Sequence, residues 1–468
     1  MHNVRFATAL TLAGICSWIA LTAAQTAPRQ VTTIVAGGTV VTVDAKRNIY
    51  NPGSVAIDGT TIVAVDAPDR VRSRFAAAQT IQAREQILLP GLVNTHTHAP
   101  MVLYRGLADD LPLMEWLEKY MFPAEAKTVS REFVRAGTRL AAVEMIRSGT
   151  TTYADMYYFE EEIGRVTRDA GLRGVLGQTI IRFPVADAKT PKDELVRTEA
   201  FLKEFAHDDL ITPAVAPHAM YTLDAATLKA SRALADKYAA PVIIHLAETT
   251  DESETSQKRH KMSPTGYLES LGFWGPRSLA AHGVWLSDGD IQILAKRKVA
   301  VSHNPESNMK LASGTARVPA MRKAGITVAL GTDGAASNND LDMFESMRQA
   351  ALLHKLTSRD PRAVPAATAL AMATIEGARA LQMDDRIGSL EAGKRADVIV
   401  VSMAGARQTP MYDPISHLVY VARGDDVTST IVNGRILMRD GRVLTLDEPA
   451  VLREANEFAV KVRQAVGK

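Results

Sequence analysis

The chain has 468 residues, 46% of them hydrophobic and 23% charged, the make-up of a globular protein with room for one large domain and a smaller one. Its 54 basic and 52 acidic residues leave a formal charge of +2, which provides no electrostatic footprint for a nucleic acid or an anionic membrane surface. A small-molecule partner fits this balance, and nothing in it opposes association into a homo-oligomer.

At the start of the chain, Arg5 precedes an apolar stretch from Phe6 to about Ala20, and small residues follow in Leu21-Thr22-Ala23-Ala24-Gln25. Residues 1–24 therefore read as a secretory signal peptide, with an uncleaved membrane anchor as the alternative. The single cysteine, Cys16, lies inside this segment, and Ile15 stands where a lipoprotein signal wants a small residue. The cleaved chain would have neither a disulfide nor a thiolate metal ligand. A periplasmic or secreted location is expected. No later stretch approaches about 18 uninterrupted apolar residues, so no membrane partner is expected after cleavage.

Residues 31–89 carry short β-branched runs, Thr32–Val35, Thr39–Val43, Ser54–Ile57 and Thr61–Val65, with Asp58-Gly59 as a hairpin signal. Residues 391–468 have the same character in Asp397–Val401 and Ser429–Val432, where Asn433-Gly434 turns into Arg435–Met438, before a terminal helix. The two ends are expected to build one small composite β-sandwich domain.

Between them, over residues 90–390, strands and helices alternate. The candidate strands are the run at Pro90–His98, then Thr150–Asp155, Gly174–Ile180, Thr212–His218, Pro241–His245, Leu279–His282, Val299–His303 and Thr327–Asp333. Eight strands separated by helical stretches such as Glu132–Ile146, Asp224–Tyr238 and Asp288–Lys296 predict an α/β fold of the (β/α)8 TIM-like barrel type. A doubly wound sheet would want a Gly-x-Gly-x-x-Gly turn after a strand, and none is present.

His96, His98, His218, His245, His282 and Asp333 each stand at the downstream end of a candidate strand, and in a barrel those ends share one rim. His96 and His98, two residues apart on a strand, project to the same face. With His245 and Asp333 they make a three-nitrogen, one-oxygen set suited to Zn²⁺, leaving a position for water. Water acidified there becomes a nucleophile, and Asp333 can accept its proton. Glu248, three residues after His245, can carry a proton to the leaving side of a substrate. The strand ending at His218 has no lysine to bridge a second metal, so one zinc per chain is expected, with Fe²⁺ as the alternative.

These features resemble the amidohydrolase superfamily and, within it, the methylthioadenosine and adenosylhomocysteine deaminases and their triazine-hydrolase relatives. The resemblance runs from about Val31 into the C-terminal region. It rests on Pro90–His98, Pro217-His218-Ala219-Met220-Tyr221, His245-Leu246-Ala247-Glu248, Ser302-His303-Asn304-Pro305 with Ser307–Leu311, and Gly331-Thr332-Asp333-Gly334. It implies metal ligation by His96, His98, His245 and Asp333, with His282 beside the bound water and Glu248 protonating a ring nitrogen as ammonia leaves. It also implies that Glu125 binds the ribose, that His218 is a second substrate contact and that Arg182 is a third. Members of this kind are usually cytoplasmic, whereas this chain begins with an export signal, which points to a periplasmic or extracellular substrate.

The function expected is a zinc-dependent hydrolytic deaminase of adenine-type nucleosides such as 5'-methylthioadenosine and S-adenosylhomocysteine. The alternatives are an amino- or chlorohydrolase of triazines or other N-heterocycles, and a guanine- or cytosine-type deaminase. A non-catalytic binding protein on the same barrel would be expected to lack Glu248 or one of the metal ligands, and none is missing.

Overall fold

The computed structural model describes residue 2 and residues 27–467, so the expected signal peptide, save residue 2, lies with Cys16 outside the described residues. Eight parallel strands pair in simple sequential order: Leu92–Thr97, Thr150–Tyr157, Arg173–Ile180, Ile211–Pro217, Val242–Leu246, Ser278–His282, Ala300–His303 and Val328–Leu330. Nearly every residue in them is buried, as expected of strands covered by side chains inside and helices outside. Several of the intervening helices start where short polar side chains satisfy their free N–H groups. Ser130 caps Arg131–Arg147, Asp224 caps Ala225–Tyr238, and Ser287 and Asp290 form a capping box on Asp288–Arg297.

The eighth strand is only three residues long, shorter than the run Thr327–Asp333 suggested, because the chain is taken over by contacts to the first strand. Thr95 Oγ1 donates to the Leu330 carbonyl at 2.8 Å, Thr332 N–H donates to Asn94 Oδ1 at 3.1 Å, and Asp333 N–H donates to the His96 carbonyl at 2.9 Å. These bonds bring the two ends of the sheet together. A side chain at Gly331 would lie 2.6 Å from Ser302 Oγ and 2.9 Å from the His96 nitrogen, so this crossing has space only for glycine.

The two chain ends share one nine-stranded mixed sheet. Its joint is the antiparallel pairing of Val398–Ser402 with Gln86–Pro90, the strand that leads straight into the first barrel strand. Its core includes Val35, Val55, Ile57, Ile62, Leu88, Val398 and Ile431. The run Thr32–Val35 and the first three residues of Thr39–Val43 belong to a single strand, Arg29–Val41, irregular around Gly38. Phe75–Gln82 forms a further strand that its small and polar residues did not signal. Arg173 of the third barrel strand reaches Asp397 through two hydrogen bonds of 3.2 and 3.3 Å, an ion pair buried between sheet and barrel.

Beyond the first barrel strand the chain makes four short helical segments, Ala99–Tyr104, Leu113–Trp116, Leu117–Met121 and Phe122–Thr128, which form part of the wall over the downstream end of the barrel. Among the described residues no helix is long and apolar enough to cross a membrane.

Candidate active site

A cavity opens at the downstream rim, and His98, Glu125, His218, His245, Glu248, His282 and Asp333 all line it. His96, completely buried, packs beneath His98, His245 and His282 with ring centroids 4.9 to 5.4 Å away. The i, i+2 spacing of His96 and His98 does bring both rings to one place. His245 arrives from the fifth strand and Asp333 from the loop after the eighth.

The ligating atoms are oriented by their surroundings. His98 Nδ1–H donates to the Met156 carbonyl at 2.7 Å, and His245 Nδ1–H donates to the His218 carbonyl at 2.8 Å. These bonds set the tautomers and leave both Nε2 lone pairs facing inward, 3.3 Å apart. A proton is poorly placed to bridge them, because burial, with the charges of His218, His96 and His98 adding to it, holds His245 well below the usual imidazole range. His96 is pulled down to about 4 by burial, against the hydrogen bond and charge of Asp333. Neither of its ring nitrogens has a hydrogen-bond partner of normal geometry, and Nε2 stands 3.4 Å from Asp333 Oδ1. His98 Nε2 is also 3.4 Å from that oxygen. One nitrogen each from His96, His98 and His245 falls within 4.8 Å of the others, as does a second set from His96, His282 and Asp333. Orphaned, converging lone pairs beside a carboxylate fit a divalent cation, and the N₃O donor set suits zinc.

The two carboxyls in the cavity are driven in opposite directions. Burial pushes Glu248 up, Asp333 adds to it, and His282 opposes it. Burial would also raise Asp333, but the hydrogen bond and charge of His96, with His282 and His98, hold it well below the usual carboxylate range. Its Oδ2 accepts from Ser307 Oγ at 2.7 Å and Ser337 Oγ at 3.1 Å, and its Oδ1 accepts from Gly334 N–H at 2.8 Å. His282 lies between the two acids, Nε2 3.8 Å from Glu248 and 4.0 Å from Asp333. Burial lowers its basicity, yet the charges of Glu248 and Asp333 raise it overall, and Nδ1–H is held by Asn308 Oδ1 at 3.0 Å. The bends that aim these groups lie in the left-handed region at non-glycine residues, Ala247 (φ 47°), His282 (φ 74°) and Asp333 (φ 66°). Such conformations cost about 1–3 kcal/mol each and cluster at functional sites.

Glu125 sits on Phe122–Thr128 at the cavity wall, its carboxyl raised to about 7 by burial against a hydrogen bond from Tyr157 Oη of 2.7 Å. His218, lowered to about 3 by burial and the charges of His98 and His96, has its Nδ1 3.2 Å from Thr222 Oγ1. Arg182 is not brought into this cavity. It is exposed in an adjoining groove lined by Tyr221, Glu252 and Arg259.

Several residues of the site carried no signal strong enough to single them out. Leu113, Trp116, Leu117, Met121 and Phe122 form an apolar wall, and the buried Trp116 indole N–H has no hydrogen-bond partner among the described residues. Ser307 and Asn308 lie within a quoted motif, but the atoms they hold emerge only from the fold. Tyr157 and the Met156 carbonyl lie beyond the expected strand Thr150–Asp155, in the two residues by which the observed strand Thr150–Tyr157 is longer.

The amidohydrolase family model matches residues 87–437. The chain is 45% identical over 430 residues to the 5-methylthioadenosine/S-adenosylhomocysteine deaminase of Syntrophobacter fumaroxidans, covering 92% of this chain and 98% of that one. It is 44% identical over 428 residues to the 5'-deoxyadenosine deaminase of Methanosarcina mazei, covering 91% and 97%. The crystal structure of an adenosine deaminase from Xanthomonas campestris with bound zinc superposes with a TM-score of 0.92 at 39% identity, over 93% of this chain and 100% of that one. The zinc-complexed atrazine chlorohydrolase of Arthrobacter aurescens has a TM-score of 0.85 at 24% identity, over 92% and 100%, a likeness of fold alone.

Proposed function

The chain belongs to the amidohydrolase family, and on that premise we propose that it is a zinc-dependent hydrolytic deaminase of adenine nucleosides, acting best on those whose 5' position carries hydrogen or a thioether in place of the hydroxyl. The observation that carries the chemistry is the placing of Glu248 and Asp333 on either side of His282, 3.8 and 4.0 Å from its Nε2, beside the histidine cluster. Two carboxyls of one cavity with separated proton affinities divide the roles of acid and base.

His96, His98, His245 and Asp333 would hold the ion. When bound, a divalent cation lowers the pKa of a water so that it can attack at neutral pH. Asp333, ionised and fixed by two serines, accepts a proton from the attacking water. Glu248, whose proton affinity burial raises, donates a proton to the ring nitrogen beside the amino-bearing carbon. The amine then leaves as ammonia with the proton Asp333 had taken, and the hydroxyl proton of the tetrahedral carbon returns Glu248 to its acid form. His282, between the two carboxyls, steadies the charge that passes between them.

The substrate class rests on the far end of the cavity and on the relatives. Glu125 can accept hydrogen bonds from sugar hydroxyls. The apolar wall of Leu113, Trp116, Leu117 and Met121 suits a 5' hydrogen or the thioether portion of a 5' substituent. Deaminases similar to this chain in sequence are named for 5-methylthioadenosine, S-adenosylhomocysteine and 5'-deoxyadenosine. Ammonia release from 5'-deoxyadenosine, methylthioadenosine, adenosylhomocysteine, adenosine, adenine, guanine, cytosine and an aminotriazine tests the reading. Preference for the first three is expected, and faster release from the triazine or a free base would replace it.

A further inference from the structure

Two consecutive residues at the end of the second barrel strand hold two residues that line the cavity, His98 and Glu125. The Met156 carbonyl takes the Nδ1–H of His98 at 2.7 Å, and the next residue, Tyr157, donates its hydroxyl to Glu125 Oε1 at 2.7 Å. The Tyr157 ring lies between them, its centroid 6.5 Å from that of His98. We propose that Tyr157 is a positioning residue for specificity, which fixes Glu125 at a set distance from the reacting centre so that the substrate's sugar hydroxyls, and not its ring, are read there. This rests on the nucleoside reading given above.

Glu125 needs such a tie. It stands on a seven-residue helix outside the barrel, on a segment joined to the rest of the molecule by side-chain bonds such as Tyr104 Oη with Thr128 Oγ1 at 2.6 Å and Lys127 Nζ to the Ala465 carbonyl at 3.0 Å. Those bonds hold the helix, not the carboxyl. Among the described residues, the hydrogen bond to the Glu125 carboxyl comes from Tyr157. The phenol is a dependable donor because its surroundings keep it protonated: burial, then the charge of Glu125, place it well above the usual tyrosine range. It is itself fixed, its backbone N–H donating to Glu160 Oε2 at 3.2 Å and its ring packing 4.8 Å from that of Tyr158. With Oε1 engaged, the plane of the carboxyl is set and Oε2 is left to the cavity. A strand of the barrel moves far less than a loop helix, so the spacing between the His98 end and the Glu125 end becomes a property of the barrel.

The test compares 5'-deoxyadenosine with 2',3',5'-trideoxyadenosine, which differs from it only in lacking the 2' and 3' hydroxyls, in wild type, Tyr157→Phe, Glu125→Gln and the double variant at matched zinc content. Tyr157→Phe is expected to raise KM for 5'-deoxyadenosine about tenfold, to keep kcat within about twofold, and to leave kcat/KM for the trideoxy substrate unchanged. In the Glu125→Gln background the same change should have no further effect on KM, because Tyr157 acts through Glu125; this comparison holds even if Tyr157→Phe lowers stability. Equal losses on both substrates, or a fall in zinc content, would assign Tyr157 to the general integrity of the strand and overturn the proposal alone. If wild type uses the two substrates equally well, Glu125 does not read the hydroxyls and the proposal falls with it. If wild type releases no ammonia from either, the nucleoside reading itself is overturned.

Discussion

His98 Nε2 and His245 Nε2 face each other at 3.3 Å while both Nδ1 atoms donate to backbone carbonyls. In the neutral tautomers those bonds select, the contact is between two lone pairs, and it is repulsive unless a cation lies near both. The purified protein should therefore carry one zinc per chain, and His245→Ala should lose both the metal and the activity. Elemental analysis decides this, and two tightly held ions per chain would overturn the mononuclear assignment. Because the ion binds the folded site, free metal about a thousandfold above its Kd should raise stability by about 4 kcal/mol over the chelated protein, read as a shift in the unfolding transition.

Glu248→Gln keeps the shape of the side chain but cannot donate and recover a proton. It should retain zinc and lose at least about a hundredfold in kcat, the low end of the range for general acid–base catalysis. Near-normal turnover with metal retained would transfer the proton to another group, with His282 the next candidate by position.

Removal of the Glu125 carboxyl should weaken use of nucleosides by about 1–3 kcal/mol, the scale of a charged hydrogen bond lost from a buried position. Metal content should not change. The informative quantity is the ratio of kcat/KM on methylthioadenosine to that on adenine, in wild type and Glu125→Ala. A constant ratio would take Glu125 out of substrate binding.

Glu194 makes a prediction about pH and stability that is independent of the site. Burial raises its carboxyl to about 8, against the Ile181 N–H bond and with help from Asp187 and Asp193. The folded chain thus keeps a proton that the unfolded chain releases near 4.5. This contribution is complete below about 4.5 and is lost as pH rises toward about 8, at no more than about 1.4 kcal/mol per pH unit. Glu194→Gln, neutral at every pH, should flatten the fall in the urea midpoint between pH 5 and 8. A parallel pH profile for variant and wild type would reject the assignment.

Asp397→Ala should destabilise the protein by about 3–5 kcal/mol, since it leaves Arg173 charged and buried without its partner. It also removes the acceptor for the Asn433 N–H, 2.7 Å away, at the turn of the composite sheet. Denaturant unfolding measures the loss, and an effect below about 1 kcal/mol would show that water or another acceptor takes over.

The sequence by itself determined the alternation of eight strands with helices, the pairing of the two ends in one sheet, and the rim on which the histidines and Asp333 gather. Each of these follows from local rules: β-branched runs bounded by turn residues, caps at helix starts, and side chains that repeat every second residue along a strand. Only the tertiary structure decided the rest. Asp333 reaches the cluster because Asn94, Thr95 and Gly331 draw the eighth strand onto the first, contacts between residues more than two hundred positions apart. Arg182 follows the third strand in the chain but lies exposed in the next groove, because its direction is set by loop packing that no local periodicity encodes. The bond from Tyr157 to Glu125 likewise joins a strand end to a short helix 32 residues earlier. Hydrogen bonds of this kind depend on where two backbones come to rest, and that is set by the packing of the whole barrel.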